Sequence, residues 1–170
     1  SINGISRRYY HYKNGELHRD DDKPAIYDIY HDGDNRRQRE EYYFGGIQHR
    51  SGNKPSYISK SPFINHIQYH HAGLLHRTDG PAVDEHNTGI GSRNTEYRIN
   101  GQLVSPDDNT PAHKTVNYSK DGTVYNGELY RNSMSLSHRE GDLPSLDITK
   151  THNSGIHHLV EYSKNGKYHR

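Results

Sequence analysis

The chain has 170 residues, of which only 28% are hydrophobic, and its formal net charge at pH 7 is +1. With 15 tyrosines among those hydrophobic residues, little aliphatic surface remains to offset the entropy cost of ordering one compact core. A tandem-repeat array needs less apolar surface, because each unit is buried only against its neighbours. The absence of cysteine excludes disulfides and thiolate chemistry. The balanced charge argues against nucleic acid as a partner.

Several other classes are disfavoured by what the sequence lacks. No apolar run is long enough to span a membrane, and the start of the chain has no apolar signal-peptide core. There is no Gly-x-Ser-x-Gly elbow, no phosphate-binding loop and no His-Glu-x-x-His motif. We therefore expect a protein that is not an enzyme and has no cofactor, and the compartment stays unknown.

The first predicted element is a strand that leads into Asn14-Gly15, because an Asn-Gly pair is a strong signal for a tight hairpin turn. His18-Arg19 follow this turn, and Pro24-Ala25 come next. Proline is tolerated at the start of a strand, where its missing N–H is not needed. A second β-rich run follows the proline and ends at a turn that contains Gly33. The unit is therefore strand, turn, strand, turn.

The same order of features recurs about every 30 residues through the whole chain. The His-Arg pairs are His18-Arg19, His49-Arg50, His76-Arg77, His138-Arg139 and His169-Arg170, with Val104-Ser105 as a degenerate copy. The prolines that follow them are Pro24, Pro55, Pro81, Pro111 and Pro144. A small residue follows each proline: Ala25, Ser56, Ala82, Ala112 and Ser145. The turn glycine before each pair is Gly15, Gly46, Gly73, Gly101 or Gly166, with Ser135 in the fifth copy.

These repeats predict one all-β domain over residues 1–170, built of tandem antiparallel β-hairpins with about eleven strands. The units run roughly over residues 6–30, 38–61, 64–87, 94–118, 124–150 and 157–170, and we number them 1 to 6. The positions four residues before the turn glycine are mostly aromatic: His11, Tyr42, Tyr69, Tyr97, Arg131 and Tyr162. We expect an elongated twisted sheet or a solenoid-like array, and the pattern leaves open whether the sheet closes.

Two copies of the motif carry a resemblance to a known family. They read Tyr12-Lys-Asn-Gly-Glu-Leu-His-Arg-Asp-Asp-Asp-Lys-Pro-Ala25 and His70-His-Ala-Gly-Leu-Leu-His-Arg-Thr-Asp-Gly-Pro-Ala82. The chain resembles the tandem Asn-Gly-x-Leu-His-Arg-x-Asp-Gly-Pro-Ala repeat proteins, similar to MORN repeats, of phages, large DNA viruses and some bacteria. The resemblance covers nearly the whole chain and implies a structural role, with a virus particle as one location. Unit 4 departs from it by lacking His-Arg, and unit 5 by lacking Asn-Gly.

The His-Arg pairs are interpreted first as structural. Arginine is expected to bond an aspartate in the following turn: Arg19 with Asp21 or Asp22, Arg77 with Asp79, and Arg139 with Asp142. Histidine is expected to cap backbone groups. The alternative is that the His-Arg ladder binds a ligand. Loss of the pair from unit 4 argues against chemistry performed by every unit.

The tyrosines and the remaining histidines are the other candidates. Tyr42, Tyr69, Tyr97 and Tyr162 are expected to pack between units, or else to form an aromatic platform for a glycan or a protein. The adjacent pairs His70-His71 and His157-His158 point to opposite faces of a strand, so neither pair makes a bidentate metal site alone. Ligands from different strands, such as His66 and His70, would be needed, and we predict no metal site.

Two functions of different classes follow. The first is a structural or assembly component that joins protein partners or other copies through its sheet edges. The resemblance implies a virus or phage particle as the assembly. The second is a recognition module that binds a glycan or a protein through a face rich in tyrosine and histidine.

Overall fold

The computed structural model describes residues 4–168, so His169 and Arg170 lie outside the described residues. The described part contains strands and turns and no helix, and therefore no helix with the length and apolar character to cross a membrane. The strands are β1 (Ile5–Tyr10), β2 (Tyr12–Lys13), β3 (Glu16–Leu17), β4 (Ile26–Asp32), β5 (Asn35–Glu41), β6 (Tyr43–Phe44), β7 (Ile47–Gln48), β8 (Tyr57–Lys60), β9 (Ile64–Gln68), β10 (His70–His71), β11 (Leu74–Leu75), β12 (Val83–Asn87), β13 (Ser92–Glu96), β14 (Arg98–Ile99), β15 (Gln102–Leu103), β16 (His113–Tyr118), β17 (Val124–Leu129), β18 (Leu146–His152), β19 (Gly155–Glu161), β20 (Ser163–Lys164) and β21 (Lys167–Tyr168).

One sheet of 11 strands dominates the molecule, in the order β1-β4-β5-β8-β9-β12-β13-β16-β17-β18-β19. Each of the nine inner strands is hydrogen-bonded to the long strand before it and the long strand after it, and every pairing is antiparallel. The sheet is an open meander and does not close into a barrel. The predicted all-β hairpin array with about eleven strands is confirmed.

The structure differs from the prediction in how the chain reaches the Asn-Gly turns. The long strand does not run into the turn but stops at one residue, which we call the corner residue, and a separate hairpin of two-residue strands carries the turn. These short hairpins are β2–β3, β6–β7, β10–β11, β14–β15 and β20–β21. A period-2 pattern cannot show this break, because alternation is the same before and after a bend in the chain.

The tips of the short hairpins have the backbone geometry that the sequence predicted. Asn14 and Gly15 have φ values of 53° and 81°, and Asn100 and Gly101 have values of 48° and 81°. Positive φ at both central residues defines the type I′ turn that Asn-Gly favours. Ala72 has a φ of 49° before Gly73, so a residue with a Cβ adopts the same conformation there.

The short hairpins are joined to one another in a row along the sheet, which we call the hairpin file. The turn glycine of one unit donates its N–H to a carbonyl of the preceding hairpin: Gly46 to Leu17 at 2.9 Å, Gly73 to Gln48 at 3.0 Å, and Gly101 to Leu75 at 2.8 Å. A Cβ added at Gly73 would lie 3.4 Å from Ile47 Cγ2 of the preceding unit. Glycine therefore supplies both the turn conformation and the room for close stacking.

The core is small and recurs from unit to unit. The residue after each proline is fully buried, with 0% exposure at Ala25, Ser56, Ala82, Ala112 and Ser145. The other buried apolar side chains are Ile26, Tyr42, Val83 and Tyr130. Large apolar residues such as Phe44, Leu74 and Ile156 remain exposed. The small side chains allow the loop after each His-Arg pair to pass directly over the sheet.

Candidate functional site

The corner residues organise the repeated site. Each donates its N–H to the carbonyl of the small residue after the proline: His11 to Ala25, Tyr42 to Ser56, Tyr69 to Ala82, Tyr97 to Ala112 and Tyr130 to Ser145, at 2.7–2.8 Å. The same residue accepts at its carbonyl from the residue in the His position, as Tyr42 does from His49 at 3.1 Å. The long strand, the short hairpin and the loop before the proline therefore meet at one backbone position.

The arginine of each of the four His-Arg pairs within residues 4–168, which we call the motif arginine, bridges its own loop. Arg50 Nη1 donates to the Pro55 carbonyl at 3.0 Å, and Arg19, Arg77 and Arg139 make the equivalent bond to their own prolines. In three units the guanidinium carbon lies over the corner tyrosine: Arg50 is 3.6 Å from the Tyr42 ring centroid, and the pairs Arg77–Tyr69 and Arg139–Tyr130 are similar. The arginine thus joins a cation–π contact to a charge-assisted hydrogen bond.

The histidine of each of these four pairs, which we call the motif histidine, joins its unit to the next one. Nδ1 of His18 accepts from the Gly45 N–H at 3.1 Å, at the tip of the following short hairpin. The equivalent bonds run from Ala72 to His49, from Asn100 to His76 and from Asn165 to His138. Because Nδ1 accepts, the proton of the neutral ring lies on Nε2. Nε2 of His18 faces Asp20 at 2.9 Å.

Carboxylates and tyrosine hydroxyls complete the corners. Asp22 accepts from Arg50 Nε at 2.7 Å and from Lys54 Nζ at 2.7 Å, and these bonds hold the pKa of Asp22 at about 2. Tyr42 donates its hydroxyl to Glu40 at 2.8 Å. Burial and this carboxylate raise the pKa of Tyr42 to about 12.

Of the expected pairs between an arginine and an aspartate, one is present in the structure and another has a different arginine. The Arg77–Asp79 pair is present at 2.7 Å. Asp22, which the sequence assigned with Asp21 to Arg19, pairs instead with Arg50 of the next unit. Successive loops lie side by side in the array, so the nearest cation comes from the neighbouring loop.

The predicted tyrosine row is placed at the corners. Tyr42 is buried, and Tyr69, Tyr97 and Tyr162 are half-buried, so none of the four rings is fully open to solvent. In unit 5 the corner is Tyr130, not Arg131, because the chain between the corner and His138 is one residue longer than in the other units. The hydroxyl of Tyr130 donates to Glu128. The shared Glu-x-Tyr spacing of units 2 and 5 could have revealed this corner.

Clefts of equal size lie between consecutive loops. Three of them measure about 380 Å³ each, between units 1 and 2, units 2 and 3, and units 3 and 4. The first is lined by Asp22, Arg50 and the exposed ring of Phe44. The second is lined by four histidines, His49, His70, His71 and His76. The centroid of the His71 ring lies 5.3 Å from that of His49 and 5.6 Å from that of His76. Each cleft combines aromatic edges with charged groups.

The remaining histidines are spread over the sheet. Nδ1 of His70 lies 2.8 Å from the Ser56 hydroxyl, while its neighbour His71 is exposed. His158 Nε2 lies 2.8 Å from Asp147. Within residues 4–168, no group of three or more His, Cys, Asp or Glu side chains is arranged to hold a metal ion.

Comparison with known proteins adds no relative: no protein-family model matches the sequence, and no curated protein matches it.

Proposed function

We propose that this chain is a non-enzymatic structural module that joins a larger assembly through the edges of its sheet. The observation that carries the proposal is the open meander, whose outer strands β1 and β19 each have one strand neighbour among the described residues. The unpaired N–H and C=O groups of an edge strand are a template for another strand. The protein partner is another copy or another chain that presents a strand.

The hydrogen bonds of the motif arginines and motif histidines support this proposal. The motif arginines bond their own loops, and the motif histidines bond the next hairpin. The histidine contacts fix one unit against the next, and the arginine contacts fix each loop. A repeat array in which only neighbours touch grows without a large core, which suits an extended structural element. The resemblance to phage and large-virus repeat proteins favours a virus particle as the assembly.

The oligomeric state in solution tests the proposal. We expect an elongated particle whose mass, measured by multi-angle light scattering with small-angle scattering, rises above one chain as the concentration increases. A single-chain mass at every concentration up to the millimolar range would contradict assembly by self-association. Addition of the isolated chain to a candidate assembly partner would then decide between a different partner and a different function.

A second candidate is a recognition module, which the clefts favour. The three clefts follow one another from unit 1 to unit 4, and two strand spacings separate one unit from the next, which is about 10 Å. A polymer with a similar repeat, such as an extended glycan, could contact several clefts at once. Binding of soluble glycans, followed by NMR shifts of tyrosine rings, tests this candidate. Phe44→Ser in the first cleft should weaken such binding, and Ile90→Ser, which lies away from the three clefts, serves as the control.

A further inference from the structure

The number of strands restricts how two copies can pair. Eleven strands alternate in direction across the sheet, so β1 and β19 run the same way. If copies were stacked head to tail, β19 of one copy would lie parallel to β1 of the next. All the strand pairs within the chain are antiparallel, which is also the slightly more stable arrangement per residue. Antiparallel pairing between copies requires a two-fold axis that joins like edges.

The two edges differ in charge. β1 presents Arg7 and Arg8, both exposed. Arg8 pairs with Asp28 of β4 at 3.1 Å, and its side chain is still 59% exposed, so a two-fold pairing of β1 would bring like charges close together, which is unfavourable. β19 has no Asp, Glu, Lys or Arg from Gly155 to Val160. Its side chains are exposed, with Ile156 at 70% and Leu159 at 52%. Charged residues on an edge strand oppose association, whereas an exposed apolar edge favours it.

The backbone of β19 shows which groups are free to pair. The carbonyl of Glu161 accepts from Ser145 on the β18 side of the strand. Since hydrogen-bonding groups alternate along an antiparallel strand, Ile156, His158 and Val160 direct their N–H and C=O groups toward the open edge. A two-fold axis at His158 would place Ile156 of each copy opposite Val160 of the other copy. This register uses all three residues and forms two apolar cross-strand pairs.

We infer that β19 pairs with β19 of a second copy of this chain, in antiparallel register about His158, to give a closed dimer. This inference rests on the proposed assembly function and specifies the edge, the partner and the symmetry. Because Arg7 and Arg8 oppose the equivalent pairing of β1, association stops at two chains and does not continue into a filament. The combined sheet would have twice the strands of one chain.

Light scattering of the 170-residue chain and two proline variants tests the inference. The parent chain should reach twice its mass of 19.6 kDa and no more. His158→Pro removes an N–H that faces the open edge and leaves the backbone bonds to β18 in place, although it also removes the ring contact with Asp147. It should raise the dimer dissociation constant at least about tenfold. Ser6→Pro is the matched control, because its N–H faces the open edge of β1, and it should leave the dimer unchanged.

Two further variants, with opposite charges on β19, test the inference if the proline variant fails to fold. One chain carries Ile156→Lys and Val160→Lys, and the other carries Ile156→Glu and Val160→Glu. Each should be monomeric alone, and an equimolar mixture should form a heterodimer, because every lysine would then face a glutamate. The far-ultraviolet circular dichroism of each chain confirms that it is folded.

The outcomes separate this inference from the assembly function. Loss of the dimer in His158→Pro and its return in the mixture of the two oppositely charged variants would support β19 pairing. Association that persists in His158→Pro, or a mass that rises beyond two chains, would overturn the closed dimer and leave the assembly function standing. A parent chain that stays monomeric at all concentrations would overturn both the dimer and self-association.

Discussion

The corners of units 2 and 4 differ in side chains and agree in backbone. In unit 2, Arg50 covers the ring of Tyr42 and bonds the Pro55 carbonyl. Unit 4 has Val104 and Ser105 in place of the His-Arg pair. Both corner tyrosines nevertheless make the same backbone bond, at 2.8 Å in unit 2 and 2.7 Å in unit 4. The backbone corner therefore forms without the His-Arg pair.

Unit 4 closes its loop by other means. The carboxylate of Asp107 accepts from the Asn109 N–H at 2.8 Å and from the Thr110 hydroxyl at 3.1 Å, and these bonds lower the pKa of Asp107. The hydroxyl of Ser105 accepts from the Arg131 N–H of the next unit at 3.1 Å. A short local turn thus replaces the arginine bridge. The buried small residue is therefore common to the corners of units 1 to 5, while the side chains above it can be exchanged.

The largest effect should come from enlarging that small residue. Ala82 and Ala112 have no exposed surface, so Ala82→Leu in intact unit 3 and Ala112→Leu in unit 4 should each lower the free energy of unfolding by about 3 kcal/mol through overpacking. Chemical denaturation followed by circular dichroism measures both. Equal losses would confirm that the backbone corner is the shared element.

A matched control uses the exposed loop residue Ser51. Ser51→Leu adds the same side chain without filling a buried space, and its effect should stay within about 0.5 kcal/mol. If Ala82→Leu cost over about 1 kcal/mol more than Ala112→Leu, a difference as large as a typical point mutation, the His-Arg pair would be shown to tighten its corner.

The next effect concerns the arginine that unit 4 lacks. Arg50→Met keeps much of the apolar stem but removes the bond to Pro55, the contact with Tyr42 and the pair with Asp22, and we expect a loss of about 2 kcal/mol. Arg37→Met, at an exposed position of β5, is the control for loss of one positive charge. No loss in Arg50→Met would mean that unit 2 relies on its backbone corner alone, as unit 4 does.

Much of the fold could be predicted because it depends on local signals that repeat. Asn-Gly turns, the prolines at strand starts and the small residues after them predict the long strands and their antiparallel order. The short hairpins were missed because a bend at Tyr42 or Tyr69 leaves the alternation of side chains unchanged. The open sheet could not be predicted, since closure depends on the twist accumulated over many strands.

The candidate site was predictable in composition and not in its contacts. The sequence identifies the His-Arg pairs and the tyrosines, and the structure places them at the corners. It could not show that Asp22 reaches Arg50, because that pair depends on how closely adjacent loops stack. It also placed Arg131 at the fifth corner, because counting back from the turn overlooks the extra residue before His138.

A smaller effect should appear as a pH dependence of stability where unit 2 meets unit 3. Ser56 of unit 2 has a hydroxyl there, whereas the equivalent residue of unit 4, Ala112, has none. Burial lowers the pKa of His70 from its ordinary value of 6.5, and its Nδ1 lies 2.8 Å from the Ser56 hydroxyl. The unfolded chain therefore binds a proton more readily than the folded chain. The contribution of a neutral, buried His70 to the free energy of unfolding is fully present above about pH 6.5 and is lost as the pH falls below that value.

Thermal unfolding between pH 7.5 and pH 5 measures this dependence. His70→Gln should flatten the decline, and His71→Gln, at the exposed neighbouring position, should not. Equal slopes in the parent chain and in His70→Gln would assign the decline to other histidines. Ser56→Ala would then show whether the hydroxyl matters to the corner at all.

The smallest effect should come from Asp22, which links unit 1 to unit 2. Arg50 and Lys54 hold its pKa at about 2, so its contribution is present above its ordinary value of 3.8 and is lost as the pH falls toward 2. Its side chain is 42% exposed, so solvent screens the pair, and Asp22→Asn should cost only about 0.5 kcal/mol at pH 6.

Denaturation of the parent chain and of Asp22→Asn at pH 6 and at pH 3 measures this link. The difference between them should shrink at pH 3, because this pH lies below the ordinary pKa of 3.8, so the Asp22 carboxylate of the unfolded parent chain takes up a proton while that of the folded chain stays mostly ionised. Asp21→Asn is the control, since Asp21 contacts only its near neighbour Lys23 at 3.5 Å among the ion pairs of the described residues. Arg77 pairs with Asp79 inside its own loop. Asp79 also hydrogen-bonds Asn53 of unit 2, so a loss in Asp79→Asn combines contacts within a loop and between units. An equal loss in Asp21→Asn would show that Asp22 does not act through its link to unit 2.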